Sequence, residues 1–290
     1  MEVTMIGIIC DTGSDIADRV RSNDRVEIVP LKVILDEKER LDTESGLSEQ
    51  VIEYQKRQQA KTSLPALEEV KAAFYRLIDR GYNEIIGINI SSNLSGTHNV
   101  FKLAAKEILS ERTKLRIRLF DSLNISIGTG LLILKALQFI QEGRSFEDVV
   151  EGIGAMIPRK SKVMFIIPTL KHLKEGGRIG KVSATIGELL KIKPVICVGE
   201  DGIYYTLAKA QGMKNALRKL IEEFQKDFAS EKIEKAALYH SGDRQGVQDL
   251  LDVVSDVLVR AKVPYIEGHI SPSLVVHTGE HLVGLAYLMV

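Results

Sequence analysis

Short apolar runs alternate along this chain with longer amphipathic ones, and most apolar runs stop at a polar turn. Thr4 to Cys10, Val26 to Leu35, Glu84 to Ile90 and Leu115 to Phe120 are brief, mostly apolar and bounded by turn residues. That pattern predicts buried strands, the second of them broken by Pro30. Between these runs the spacing turns helical. Ser48 is placed to cap a helix reaching about Gln59. Val70, Phe74, Leu77 and Ile78 share one face of a helix over Leu67 to Asp79, and Val100, Leu103, Ala104 and Ile108 repeat up to about Leu109. Residues 36–46 are charged and read as irregular. A long apolar helix opens at Gly128-Thr129-Gly130, and another helical pattern spans Phe146 to Ile157.

The second half reads similarly. Val163 to Ile167 is strand-like, and a small-residue helix is predicted over Ser183 to Leu190. Ile192 to Val198 and Ile203 to Ala208 form a hairpin across Gly199-Glu200-Asp201-Gly202. Lys235 to Tyr239 with a helix from Arg244, and then Val263 to Ile270, make two further strand–helix units. Leu282 to Met289 suits either a strand or a helix. Strands alternating with helices predict an α/β protein whose first half is a doubly wound parallel sheet, with its polar loops on one edge. The stretch after Pro158 is basic, and a boundary is placed there, giving domains 1–160 and 161–290.

Composition narrows the function classes. The 290 residues include 39 basic and 39 acidic ones, so bulk charge argues against nonspecific nucleic-acid binding. Cys10 and Cys197 are the only cysteines and both lie in apolar runs, which excludes a disulfide framework and a cysteine-based metal site. The start, Met1-Glu2-Val3-Thr4-Met5, shows no signal peptide, and no apolar run is long enough to span a membrane. A cytoplasmic location is expected. No histidines and carboxylates stand at a metal-ligand spacing, no Walker loop is present, and no serine sits in a Gly-x-Ser-x-Gly elbow.

The candidate chemistry sits where strands end. Ser91-Ser92-Asn93-Leu94-Ser95-Gly96-Thr97 follows a strand and precedes a helix, where hydroxyls and unpaired amides suit an anion. A single serine there can equally be an N-cap; a cluster is more than a cap needs. Lys61-Thr62-Ser63-Leu64-Pro65 forms a second hydroxyl turn, with Ser63 close to an N-cap. Asp11-Thr12-Gly13-Ser14 matches the aspartic-protease signature, but those enzymes are all-β, so it reads here as a strand ending in a turn. Gly128 and Gly130 lack the third glycine of a dinucleotide fingerprint and read as allowing close helix packing. His98 reads as a surface residue. His277 lies in a polar loop, either as a structural histidine or as a donor to an anion, and Arg178 on a glycine hinge is either a solvated charge or a phosphate or partner contact.

Taken together and in order, Asp11 to Asp15, Thr62 to Pro65, Ser91 to Thr97, Asp121 to Gly130, Leu173 to Gly180 with Leu190 to Pro194, and His277 to Gly279 resemble the DegV family, to which the fatty-acid-binding FakB proteins belong. The resemblance spans nearly the whole chain. It implies two α/β domains, the first with a parallel sheet, holding a long-chain fatty acid between or within them. It implies no cofactor. The family's carboxylate contacts fall on Thr62 and Ser95, with Ser63 and Gly96 as neighbours and His277 in the C-terminal motif. Arg178 matches an arginine needed for work with a separate ATP-binding kinase subunit, which would carry the catalysis of acyl-phosphate formation. The chain departs from the family at Leu64, where glutamine is frequent, at Gln211 in Lys209-Ala210-Gln211-Gly212, where arginine is frequent, and at Glu280-His281 after Gly279. The alternative is an enzyme acting on a small phosphorylated or carbonyl substrate through His277.

Overall fold

The computed structural model describes residues 5–185 and 192–290. In chain order its strands are β1 (Ile6–Asp11), β2 (Val26–Val29), β3 (Lys32–Leu35), β4 (Lys38–Leu41), β5 (Lys61–Ser63), β6 (Glu84–Asn89), β7 (Arg116–Asp121), β8 (Ser161–Ile166), β9 (Ile192–Val198), β10 (Tyr204–Gln211), β11 (Ile233–His240), β12 (Tyr265–His269) and β13 (Val283–Met289). They form three sheets.

The first sheet runs β2-β1-β6-β7, with every pair parallel. All six residues of β1 are buried, as expected of a strand covered on both faces. The helix Leu67–Asp79 covers one face with Val70, Ala73, Phe74 and Leu77, the helical spacing read from the sequence. Its start is fixed by Glu69, whose carboxylate accepts from the Ala66 N–H at 2.7 Å. The second sheet, β4-β3-β5, is small and antiparallel. The third runs β10-β9-β8-β13-β11-β12, antiparallel except for the β11–β12 pair.

The helix Ser126–Gln141 lies between the parallel sheet and the six-stranded one, packing on β1 and β6 as well as on β8, β11 and β13. It is apolar around most of its circumference, and it is buried accordingly. Gly130 allows this approach, because a Cβ there would lie 2.6 Å from the Ser14 carbonyl oxygen. One core cluster therefore draws on both sheets, from Ile6, Ile8 and Ile88 to Phe165, Ile196 and Ala286.

Several expectations change. Residues 38–41 are not irregular but form β4, joined to β3 by a two-residue turn in which Asp36 and Glu37 both take positive φ. The second helix is Leu47–Gln55 with Gly46 rather than Ser48 at its cap. Residues 61–63 are a strand, and the cap of the next helix is Ala66, not Ser63. Leu282 to Met289 resolves as strand, because it is hydrogen-bonded on both sides, to β8 and β11. The amphipathic helix Met213–Ser230 was not expected. The helix predicted over Ser183 to Leu190 falls largely outside the described residues, as does Thr4; Gly180–Thr185 is a short 3₁₀ helix. Among the described residues, no helix is long and apolar enough to cross a membrane.

Candidate functional site

Ligands of open parallel sheets bind beyond the carboxyl ends of the strands. Leu31, Ile90 and Ile125 follow β2, β6 and β7 there, and they line a cavity closed on its other side by Phe165 of β8, Tyr204 of β10 and Gly284 of β13. Its unfilled space is about 960 Å³, open solvent at the mouth included. Most of its walls are aliphatic or aromatic.

Its polar groups are tied together. Thr62 sits on β5 opposite Val33 of β3, so strand pairing fixes its position. The helix Pro272–Thr278 packs on this small sheet and brings His277 to it, with His277 Nε2 3.0 Å from Thr62 Oγ1. His277 is thus in the last turn of a helix, not in a polar loop. Burial first, and then the Arg178 charge, hold its pKa down to about 4, so the ring is neutral at pH 7. His277 Nδ1 is buried and has no hydrogen-bond partner among the described residues; it packs against Gly176, where a Cβ would lie 2.4 Å from it. A proton on Nε2 would be donated to Thr62 Oγ1 and would leave the Nδ1 lone pair on the side of the cationic Arg178 loop. The Thr62 hydroxyl proton is then free for a ligand.

Arg178 is half-buried rather than a solvated loop charge. Its guanidinium donates to the Gly176 carbonyl and, at 3.4 Å, to that of Leu94, and it lines the cavity. Ser95 lines it too, with its hydroxyl 2.8 Å from that of Thr97 and accepting from the Thr97 N–H at 3.3 Å. Ser95 therefore acts on the start of the helix Thr97–Glu111 while facing the cavity.

The other expected residues are used differently. Ser63 borders the cavity, but its hydroxyl donates to Glu39 at 2.7 Å. Gly96 is the residue at the helix cap and gives room to Leu64, whose Cδ1 would lie 2.9 Å from a Cβ there. Ser91 is fully buried and donates to the Gly202 carbonyl at 2.9 Å, a structural bond between the two halves. His98 is buried rather than at the surface, with Nδ1 3.3 Å from Asn89 Oδ1. Glu280 packs against Gly242 and is not among the residues lining the cavity.

Sequence reasoning did not single out Asp15, Asp42, Ser126, Ser273 or Tyr204 as site residues. Asp42 is buried at the end of a run read as irregular, and accepts from Ser273 at 2.6 Å and from Thr12 at 2.8 Å. Burial pushes the carboxyls of Asp15 and Asp42 up to about 7 and that of Asp11 to about 6. A hydroxyl spaced three or four residues from another group gives no sequence signal when its partner is 231 positions away, as Ser273 is from Asp42.

Comparison with known proteins agrees with this architecture. A family model described as an uncharacterised protein, DegV family, matches residues 5–290. A DegV domain-containing protein of Clostridium acetobutylicum is 36% identical, with 97% of each chain covered. A structure described as fatty acid binding of a DegV family protein from Thermus thermophilus superposes with a TM-score of 0.88 at 28% identity, covering 99% of this chain and 100% of that one. A fatty acid binding DegV family protein from Streptococcus agalactiae has a TM-score of 0.85 at 25% identity over 98% of each chain. The ordered turns, the parallel sheet with its six-stranded companion, and the match across residues 5–290 place this chain in the DegV family, to which it belongs.

Proposed function

We propose that this protein binds a long-chain fatty acid, with the acyl tail in the apolar cavity and the carboxylate beside Thr62, Ser95 and His277. The observation that carries the reading is the cavity itself, a mostly apolar space whose hydroxyls, imidazole and guanidinium gather near Thr62 and Arg178. Each buried methylene contributes about 0.8 kcal/mol, so a long tail supplies on the order of 10 kcal/mol of gross driving force. The head-group then needs donors rather than a fully buried counter-charge. The Thr62 and Ser95 hydroxyls satisfy a carboxylate as donors, and the half-exposed Arg178 adds attraction without the full cost of a buried ion. The described fatty acid binding of the Thermus thermophilus and Streptococcus agalactiae relatives supports the same reading.

The carboxylate end would be the part offered to a partner, a separate ATP-binding kinase subunit acting in the cytoplasm, with this chain supplying no catalytic group of its own. Arg178, at the mouth between the Leu94 and Gly176 loops, is the residue we assign to that step. The apolar lining disfavours the alternative of a small phosphorylated substrate handled by His277, which would need a polar cleft. Native mass spectrometry of the purified protein tests the reading. An adduct that dissociates as a long-chain fatty acid is expected, and a phosphorylated metabolite or a phosphohistidine mass in its place would overturn it.

A further inference from the structure

A polar band interrupts the apolar wall of the cavity. Ser126 and Ser273 both line it, and each hydroxyl donates away from it, Ser126 to Asp15 and Ser273 to Asp42. These two pairs belong to one network. The Ser271 N–H donates to the other oxygen of Asp15 at 2.7 Å, and the Ser271 and Ser273 hydroxyl oxygens lie 3.2 Å apart. With Asp15 and Asp42 ionised, the protons of Ser126 and Ser273 are committed to carboxylates and their oxygens offer lone pairs to whatever fills the cavity.

Tyr204 supplies the opposite polarity. It lines the same cavity at 5% exposure, edge-on to Phe165 at 5.4 Å between ring centres, and its hydroxyl makes no hydrogen bond among the described residues. Ser126 and Ser273 line the same cavity as Tyr204, and burial first and then the Asp15 charge raise the Tyr204 pKa. Buried tyrosine hydroxyls normally find a partner, and a dry apolar tail filling this cavity would leave Tyr204 without one. A water held there in the empty protein would be displaced by such a tail with no replacement for its bonds.

A tail that carries a hydroxyl would remove the mismatch, its oxygen accepting from Tyr204 and its proton going to a serine oxygen such as that of Ser126, which lines the same cavity. We propose that the preferred ligand is a hydroxylated long-chain fatty acid, recognised along its tail by Tyr204 and the Ser126–Asp15 pair. This rests on the fatty-acid reading above and adds a ligand class to it.

The test is isothermal titration of the delipidated protein with stearic acid and with monohydroxystearic acids that differ in hydroxyl position. At one position or two adjacent ones, the hydroxy acid is expected to bind about three- to tenfold more tightly than stearic acid, the worth of one hydrogen bond. At other positions it should bind more weakly. In Tyr204→Phe the ratio between the favoured hydroxy acid and stearic acid should fall to about one or below. If every hydroxy acid binds the wild-type protein more weakly than stearic acid does, the inference is overturned while fatty-acid binding stands. A preference that survives unaltered in folded Tyr204→Phe overturns the role given to Tyr204. Failure of stearic acid and of every hydroxy acid to bind overturns both readings.

Discussion

Replacing Thr62 by alanine separates the free protein from its complex. In the free protein, the 3.0 Å contact with His277 is a partly buried, neutral hydrogen bond. Its net worth is about 0.5–1.5 kcal/mol. Unfolding entropy of about 2.1 cal/mol/K per residue over 290 residues amounts to about 0.6 kcal/mol/K, so Tm should fall by only about 1–2.5 °C. In the complex, the same hydroxyl would donate to a carboxylate. A hydrogen bond to a charged group is worth about 1.5–3 kcal/mol, so Kd should rise by about 10- to 100-fold. Thr62→Ser keeps the donor and should restore most of the affinity. Displacement of a fluorescent fatty acid gives Kd, and a thermal melt gives Tm. A Thr62→Ala protein that melts as expected yet binds the acid as tightly as wild type would refute the head-group assignment, above all if Ser95→Ala added to it changed nothing.

Ser91→Ala should do the reverse: stability in urea falls by about 1–3 kcal/mol because the buried Gly202 carbonyl loses its donor, while acid affinity stays near wild type; a selective loss of affinity would return Ser91 to the binding site. An anion beside His277 favours its charged form, so its pKa, held to about 4 in the free protein, should rise on ligand binding, and imidazole resonances followed by NMR through a pH series should show that rise; no change would place the carboxylate elsewhere. Asp15 and Asp42 hold protons more tightly folded, at about 7, than at their ordinary 3.8, so their contribution to stability is present at low pH and is lost as pH rises through about 7. The carboxyl contribution to Tm should therefore decline between about pH 4 and pH 7 and level off above it, and Asp42→Asn should flatten that decline; an equally steep decline in that variant would show that Asp42 is not its source.

Much of the fold was legible because local pattern and tertiary structure agree. The face carrying Val70, Phe74 and Leu77 is the face that meets the parallel sheet, and the strand Glu84 to Ile90 stops within one residue of its observed end. Where a segment's fate depended on distant partners, local reading failed. Lys38–Leu41 is too charged to look like a strand and becomes one through its hairpin with β3. His277 looked like a loop residue because its seven-residue helix is shorter than two full helical repeats. At the site, the ordered motifs pointed to Thr62, Ser95, His277 and Arg178, and the structure gathers all four around one cavity. The family motifs did not distinguish Ser91, whose hydroxyl donates to a backbone carbonyl outside the cavity, from Ser95, which lines the cavity, since both lie on the same turn. Tyr204 reaches the cavity only because β10 folds back on β9, and no spacing in its own neighbourhood announces that.

The helix Ser126–Gln141 makes thermodynamic partners of the two sheets. Stripping either sheet from it would expose a row of leucine and isoleucine side chains at about 25 cal/mol for each Å² of apolar surface. Neither half can melt while the other keeps its full core, so the intermediate in which only one sheet is formed is penalised and unfolding becomes cooperative across the whole chain. A division near residue 160 separates the sheets in sequence, but this shared helix binds their stabilities together.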